Sequence, residues 1–193
     1  MRHKPSNYLL ISAVFVSATL ALGGLARIPG QEMNMVKLHV ASFTVVGLEV
    51  RTSNAREKSG LGEIGKLWAR LDDENFVSQI PRRVDSRLVA VYSEYASDKD
   101  GEYNYLLGAK VSSAKDIPAG MVARKVVSGN YAMFTAQGID RMQMTIDLWR
   151  RIWSLEKLGP LHRAYDTDFE VHYVETAEEP ARAHVDVYIG VRD

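Results

Sequence analysis

A chain of 193 residues with 46% hydrophobic and 25% charged residues has the make-up of an ordinary globular domain, which excludes disordered, collagen-like and mucin-like chains. Lysine plus arginine and aspartate plus glutamate number 24 each, so there is no electrostatic footprint for a phosphate backbone and direct nucleic-acid binding is not expected. Cysteine is absent, which removes disulfides, thiolate catalysis and thiolate metal sites.

In chain order, Tyr8 to Ala26 is an uncharged apolar run behind Arg2, His3 and Lys4, the arrangement of a signal peptide or membrane anchor. Gly24-Leu25-Ala26 supplies small residues suited to a signal peptidase, and the run is also just long enough to span a bilayer. A plainer reading is an upstream mis-start, with translation beginning at Met33 or Met35. Export or membrane attachment through residues 1–32 and a cytoplasmic location therefore stand as alternatives. Residues 1–32 carry Arg2, Lys4, Arg27 and Glu32; without them 21 basic residues face 23 acidic, a net charge of −2.

The domain is expected to span residues 36–193. Val36 to Val50 reads as strand and the polar stretch Arg51 to Gly62 as loop. Ile64, Leu67, Trp68 and Leu71 then stand at helical spacing, an amphipathic stripe with Glu63, Lys66 and Arg70 outside it. Residues 87–95 and 103–111 form a predicted hairpin around Asp98-Lys99-Asp100-Gly101. The same order recurs, with a strand near Val122 to Thr135, a helix from about Ile139 to Trp153, and strands at Asp168 to Val174 and His184 to Val191. An offset of 81 places Leu67-Trp68 on Leu148-Trp149, Arg70 on Arg151, Tyr92 on Tyr173 and Glu94 on Glu175, while Gly108 meets Gly190 at 82. The pattern predicts an α+β fold of duplicated β-α-β-β units. The halves are 36–117 and 118–193, joined near Pro118-Ala119-Gly120, with one antiparallel sheet, both helices on one face and a groove between them.

The usual catalytic and cofactor motifs are missing. Gly60-Leu61-Gly62-Glu63-Ile64-Gly65 has the dinucleotide-binding spacing, but a polar segment precedes it where a buried strand belongs, and Glu63 sets a carboxylate where a pyrophosphate would lie. The five histidines, His3, His39, His162, His172 and His184, show no metal-binding spacing, so neither metal nor cofactor is expected. His172 and His184 fall on neighbouring predicted strands and are candidates to meet, though without a third ligand.

What remains is acidic and aromatic. Alternation in residues 168–174 sets Asp168, Glu170 and His172 opposite Phe169, Val171 and Tyr173. In the last strand Asp186, Tyr188 and Gly190 lie opposite Val185, Val187, Ile189 and Val191, so Tyr188 is a candidate to share the face of Glu170. If that face lines the groove, a carboxylate sits beside a phenol and within reach of Trp68 and Trp149. An unpaired carboxylate taken out of water is costly, and an organic cation offsets that cost while each ring face adds roughly 0.5 to 2 kcal/mol of cation–π attraction. The plainer alternative makes both tryptophans core residues and Glu170 a hydrogen-bonded strand residue.

Residues 43–54, the Leu-Trp pairs at 67–68 and 148–149, and residues 90–111, 129–138, 165–173 and 185–191 together resemble the GyrI-like effector-binding family, in particular its integron-associated, AraC-type branch. The likeness runs from about Val36 to the C-terminus. It implies the same duplicated fold and the binding of small molecules, often hydrophobic cations, in the groove. It also implies Glu170 as the acidic ligand-binding residue, with Trp68, Tyr92, Trp149, Tyr188 and Phe134 as aromatic walls. Some members of the family resemble hydrolases that open strained rings with tryptophan, tyrosine and glutamate, and others bind DNA gyrase. No helix-turn-helix is recognised outside residues 36–193, so a stand-alone binding module is expected in preference to a complete regulator. The apolar leader is unusual for a mostly intracellular family and argues against a gyrase-directed role. The leading expectation is capture of a hydrophobic cation without chemistry. The alternatives are a hydrolase, with Glu170 as base aided by Tyr188, and a protein-interaction module using the outer surface.

Overall fold

The computed structural model describes residues 35–173 and 183–192. The apolar leader and Glu175 lie outside that range, and among the described residues no helix is long and apolar enough to cross a membrane. The strands are β1 (Val36–Val40), β2 (Phe43–Ser53), β3 (Leu88–Ser93), β4 (Glu102–Val111), β5 (Val122–Val126), β6 (Gly129–Gly138), β7 (Arg163–Tyr173) and β8 (Ala183–Val191). The helices are α1 (Asn54–Lys58), α2 (Ile64–Glu74) and α3 (Arg141–Leu158), with a 3₁₀ turn at Phe76–Gln79.

All eight strands form one antiparallel sheet in the order β1-β6-β8-β7-β3-β4-β2-β5. Outward from the central β7·β3 pair the order is β7-β8-β6 on one side and β3-β4-β2 on the other, so the duplication is visible as a pseudo-two-fold relation. Leu67 and Leu148 occupy the same role, each buried beneath its helix. Tyr92 and Tyr173 do not: Tyr92 faces the helices, whereas Tyr173 packs on the opposite side of the sheet. The equivalence drawn between them at an offset of 81 is therefore corrected.

The predicted strand at 36–50 is two strands, and so is the one at 122–135. Only Ala41-Ser42 separate β1 from β2 and only Val127-Ser128 separate β5 from β6. The two long bent segments pair in one continuous register, with Val40 opposite Gly129 and Phe43 opposite Val126. Each segment thus passes from one end of the sheet to the other, which curls the sheet toward closure. This explains why the face away from the helices is also buried, around Val45, Val91, Leu106, Val126, Tyr131 and Phe169. Strands covered on both sides carry apolar residues almost continuously, as in Tyr103 to Ala109 of β4, where only Asn104 and Gly108 interrupt the run.

The helices begin where their signals stand. Asp140 caps α3 by accepting from the Gln143 amide at 2.9 Å, and Gly159 ends it with φ of 97°. The helix thus runs beyond the predicted end at Trp153, and the predicted loop after Arg51 contains α1, capped by Ser53. The glycine-rich stretch wraps an acid of its own chain. Glu57 already fills the N-terminus of α2, accepting from the Glu63 amide at 2.9 Å and the Ile64 amide at 3.4 Å, and a Cβ on Gly62 would lie 2.0 Å from the Glu57 carboxylate.

Gly47 and Gly108 face each other across β2 and β4, and a Cβ on Gly108 would sit 2.0 Å from the Val46 carbonyl oxygen. Only backbone fits there. Gly108→Ala is expected to destabilise the fold by about 1–3 kcal/mol, as overpacking does, measured by chemical denaturation; an unchanged midpoint and slope would contradict the close approach.

Candidate functional site

The central strands carry the site. Register sets Ala90 of β3 opposite Glu170 of β7, with Tyr92 two residues along on the same face, and this face meets both helices. The alternation read for Asp168, Glu170 and His172 therefore directs polar side chains inward beneath the helices and not toward solvent.

Glu170 is only 2% exposed. Its Oε1 accepts from Trp149 Nε1 at 2.5 Å and from the Tyr92 hydroxyl at 2.7 Å, and its Oε2 lies 2.7 Å from His172 Nε2. Burial opposes the charged form, but His172 and the two ring donors outweigh it and hold the carboxyl below its usual range. Trp68 closes the other side, its ring edge-on to His172 at 4.9 Å and its Nε1 donating to Tyr105 at 2.9 Å. Tyr92 touches Trp149, Tyr105 and Tyr103 edge-on or tilted, with centroids 5.0 to 5.5 Å apart. Burial and the Glu170 charge push the Tyr92 and Tyr105 hydroxyls well above the usual tyrosine range, so both remain protonated.

A second acid lies two residues away. Asp168, fully buried, accepts from Arg163 at 2.6 Å, from the Tyr95 hydroxyl at 2.6 Å and from the Gly190 amide at 2.8 Å. Arg163 is boxed by rings, with its guanidinium 4.2 Å from the Tyr165 centroid, 5.6 Å from Trp149 and 5.9 Å from Tyr95. Burial works against its charge, yet Asp168 raises its pKa, so the guanidinium keeps its proton.

Of the expected site residues, Glu170, Trp149 and Tyr92 are in direct contact and Trp68 is one ring away. Three expectations are corrected. Tyr188 does not share the face of Glu170: register puts Val187 opposite Glu170 and Tyr188 opposite Phe169, on which it stacks at 4.3 Å. Alternation gives each strand two faces but not their relative phase, which register decides. Phe134 is 0% exposed in the core under α3 and is a packing residue, not an open wall. Nor do His172 and His184 meet, since His184 stacks on Tyr173 and bonds Asp186 on the far face. Sequence reasoning passed over Arg163, Tyr95, Tyr103 and Tyr105, and set His172 on the face of Glu170 without pairing the two. Its i+2 spacing from Glu170 was the available signal. Among the described residues no group of three or more acidic or histidine side chains is placed to hold a metal.

Comparison with known proteins puts this arrangement in the GyrI-like class of effector-binding folds. The chain belongs to the Cass2 family, the integron-associated effector binding proteins, which it matches over residues 39–191. It is similar to the integron cassette protein VCH_CASS2 of Vibrio cholerae, with 30% identity and a TM-score of 0.67 over 82% of this chain and 95% of that one. It is 29% identical to YobU of Bacillus subtilis (strain 168), a candidate transcriptional regulator, over 80% of this chain and 95% of that protein. The fold is shared with SAV2435, solved bound to tetraphenylphosphonium, at 16% identity and a TM-score of 0.65 over 83% of this chain and 94% of that one.

Because the folded-state pKa of Glu170 is lowered, its ionisation adds stability that is present above the usual glutamate value of 4.5 and is lost as pH falls through the folded value. In urea unfolding between pH 7 and pH 3, wild type is expected to lose stability relative to Glu170→Gln below about pH 4.5. A constant difference across that range would contradict the depressed pKa.

Proposed function

We propose that this protein is a capture module for a hydrophobic organic cation, held over Glu170 between α2 and α3, and that no bond is made or broken. The observation that carries the reading is a charged carboxylate, 2% exposed, whose immediate neighbours include the rings of Trp149, Tyr92 and His172, with Trp68 beyond. Membership of an effector-binding family supports it, as does the cation bound by the structural relative SAV2435.

The chemistry of the site narrows the guest. Oε1 already accepts two hydrogen bonds and Oε2 one, so a guest rich in N–H donors gains little that the protein has not supplied. A delocalised or quaternary cation needs only charge and ring faces, each ring contributing roughly 0.5 to 2 kcal/mol. Entry requires the rings to part. Helix α2 buries only Leu67, whereas α3 buries Leu148, Trp149 and Ile152, so α2 with its half-buried Trp68 is the looser wall and the one that moves. In the hydrolytic alternative Glu170 is the base, and the aid expected there from Tyr188 is missing because that residue lies on the other side of the sheet.

The test follows tryptophan fluorescence during titration with tetraphenylphosphonium, using triphenylphosphine oxide as an uncharged aromatic control. Glu170→Gln is expected to lower affinity for the cation at least about tenfold, or 1.4 kcal/mol, and to leave the control unchanged. Equal affinity of wild type and variant for the cation would remove the counter-ion role.

A further inference from the structure

The two buried acids of β7 are neutralised in different ways. Asp168 is matched by Arg163, a cation that cannot release its proton. Glu170 is matched by His172, 2.7 Å away and 2% exposed, a side chain of the type that changes charge between about pH 5 and 8.

We propose that His172 is a removable internal counter-ion: a cation arriving at Glu170 takes its place electrostatically and expels its proton, so that capture is proton-coupled. This rests on the reading of the site as cation-binding. With His172 protonated, the pair is neutral and an incoming cation would leave one uncompensated positive charge in a buried space. With His172 neutral, Glu170 presents a full negative charge. The second ring nitrogen adds to the effect. His172 Nδ1 is buried with no hydrogen-bond partner, so the protonated ring carries an unsatisfied charged donor, the more costly of its two states to keep beside a second cation.

Among the described residues, the other titratable groups around His172 are accounted for. Against His172 stand Leu88 of β3 and Val185 of β8 in register and Trp68 of α2. Tyr92 and Tyr105, the nearest hydroxyls, are held neutral. Asp168 and Arg163 are locked together further along β7, Asp72 on α2 is exposed, and Asp186 and Arg87 lie with Tyr173 on the far face. Paired with His172, Glu170 is held below its usual range, and the two hydrogen bonds that its Oε1 accepts from Trp149 and Tyr92 do not depend on the histidine's proton.

Tetraphenylphosphonium is a suitable probe because it has no titratable group, so any pH dependence belongs to the protein. Its dissociation constant in the full chain is measured from pH 5 to 8.5, alongside calorimetry in two buffers of different ionisation enthalpy. Affinity is expected to rise with pH by up to about tenfold per unit until His172 is neutral in the free protein. About one proton should be released per cation at the acid end and none at the alkaline end. His172→Gln should bind with no such slope. Binding that is intact yet independent of pH, without proton release, overturns the proposal, as does an unchanged slope in His172→Gln. Proton release by the wild-type protein needs no variant and decides the matter if the substitution impairs folding. Absence of binding at every pH sinks the capture reading itself, and this proposal with it.

Discussion

A carboxylate withdrawn from water has to be satisfied where it lies, and the architecture of this protein is organised around doing so for Glu170. Three different elements supply the partners: Trp149 from α3, Tyr92 from β3 and His172 from β7 itself. Each is placed by the duplication, because the two helices flank the central strand pair and their tryptophans reach inward from opposite sides. Without the sealed acid, the ring cluster would be an ordinary apolar core. With it, the same rings enclose a buried charge.

The two buried acids of β7, two residues apart on one strand, are matched by different bases. Arg163 and Asp168 tie the start of β7 to β8 and to the aromatic box of Tyr95 and Tyr165. Such a pair is weak evidence of net stability, but it fixes geometry, since removing either partner strands the other charge. Glu170 is matched by a histidine instead, and it is next to this pair that Trp68 is held by a single hydrogen bond and an edge contact. Rigidity and adaptability are thus adjacent, which is the arrangement a binding groove requires.

Much of this was legible in the sequence. The stripe at Ile64, Leu67, Trp68 and Leu71 marked α2, and the Leu-Trp pairs marked the two helices as equivalents. Alternation in 168–174 put Glu170 and His172 on one face. What alternation does not contain is the phase between neighbouring strands, and this is why Tyr188 was assigned to the wrong side. Phe134 illustrates a different limit: an aromatic residue in a strand reads the same whether it lines a groove or fills the core beneath a helix. The curling of the sheet was hidden because β1–β2 and β5–β6 each read as one strand, and nothing local says that both cross between the halves. Arg163 escaped notice because its partner Asp168 lies across an irregularity in β7 that sequence spacing does not reveal.

The crossing of those long segments has a further implication. Strand β1 of the first repeat is clasped by the second repeat through β6, and β5, which leads into the second repeat, is clasped by the first through β2. Neither repeat owns a complete set of neighbours. A cut in the connection between β4 and β5 would leave two fragments still knitted by backbone hydrogen bonds, so the nicked molecule should persist as a non-covalent whole. The two repeats are interlaced, not merely joined, and a gene encoding one alone would yield a fragment with a missing edge.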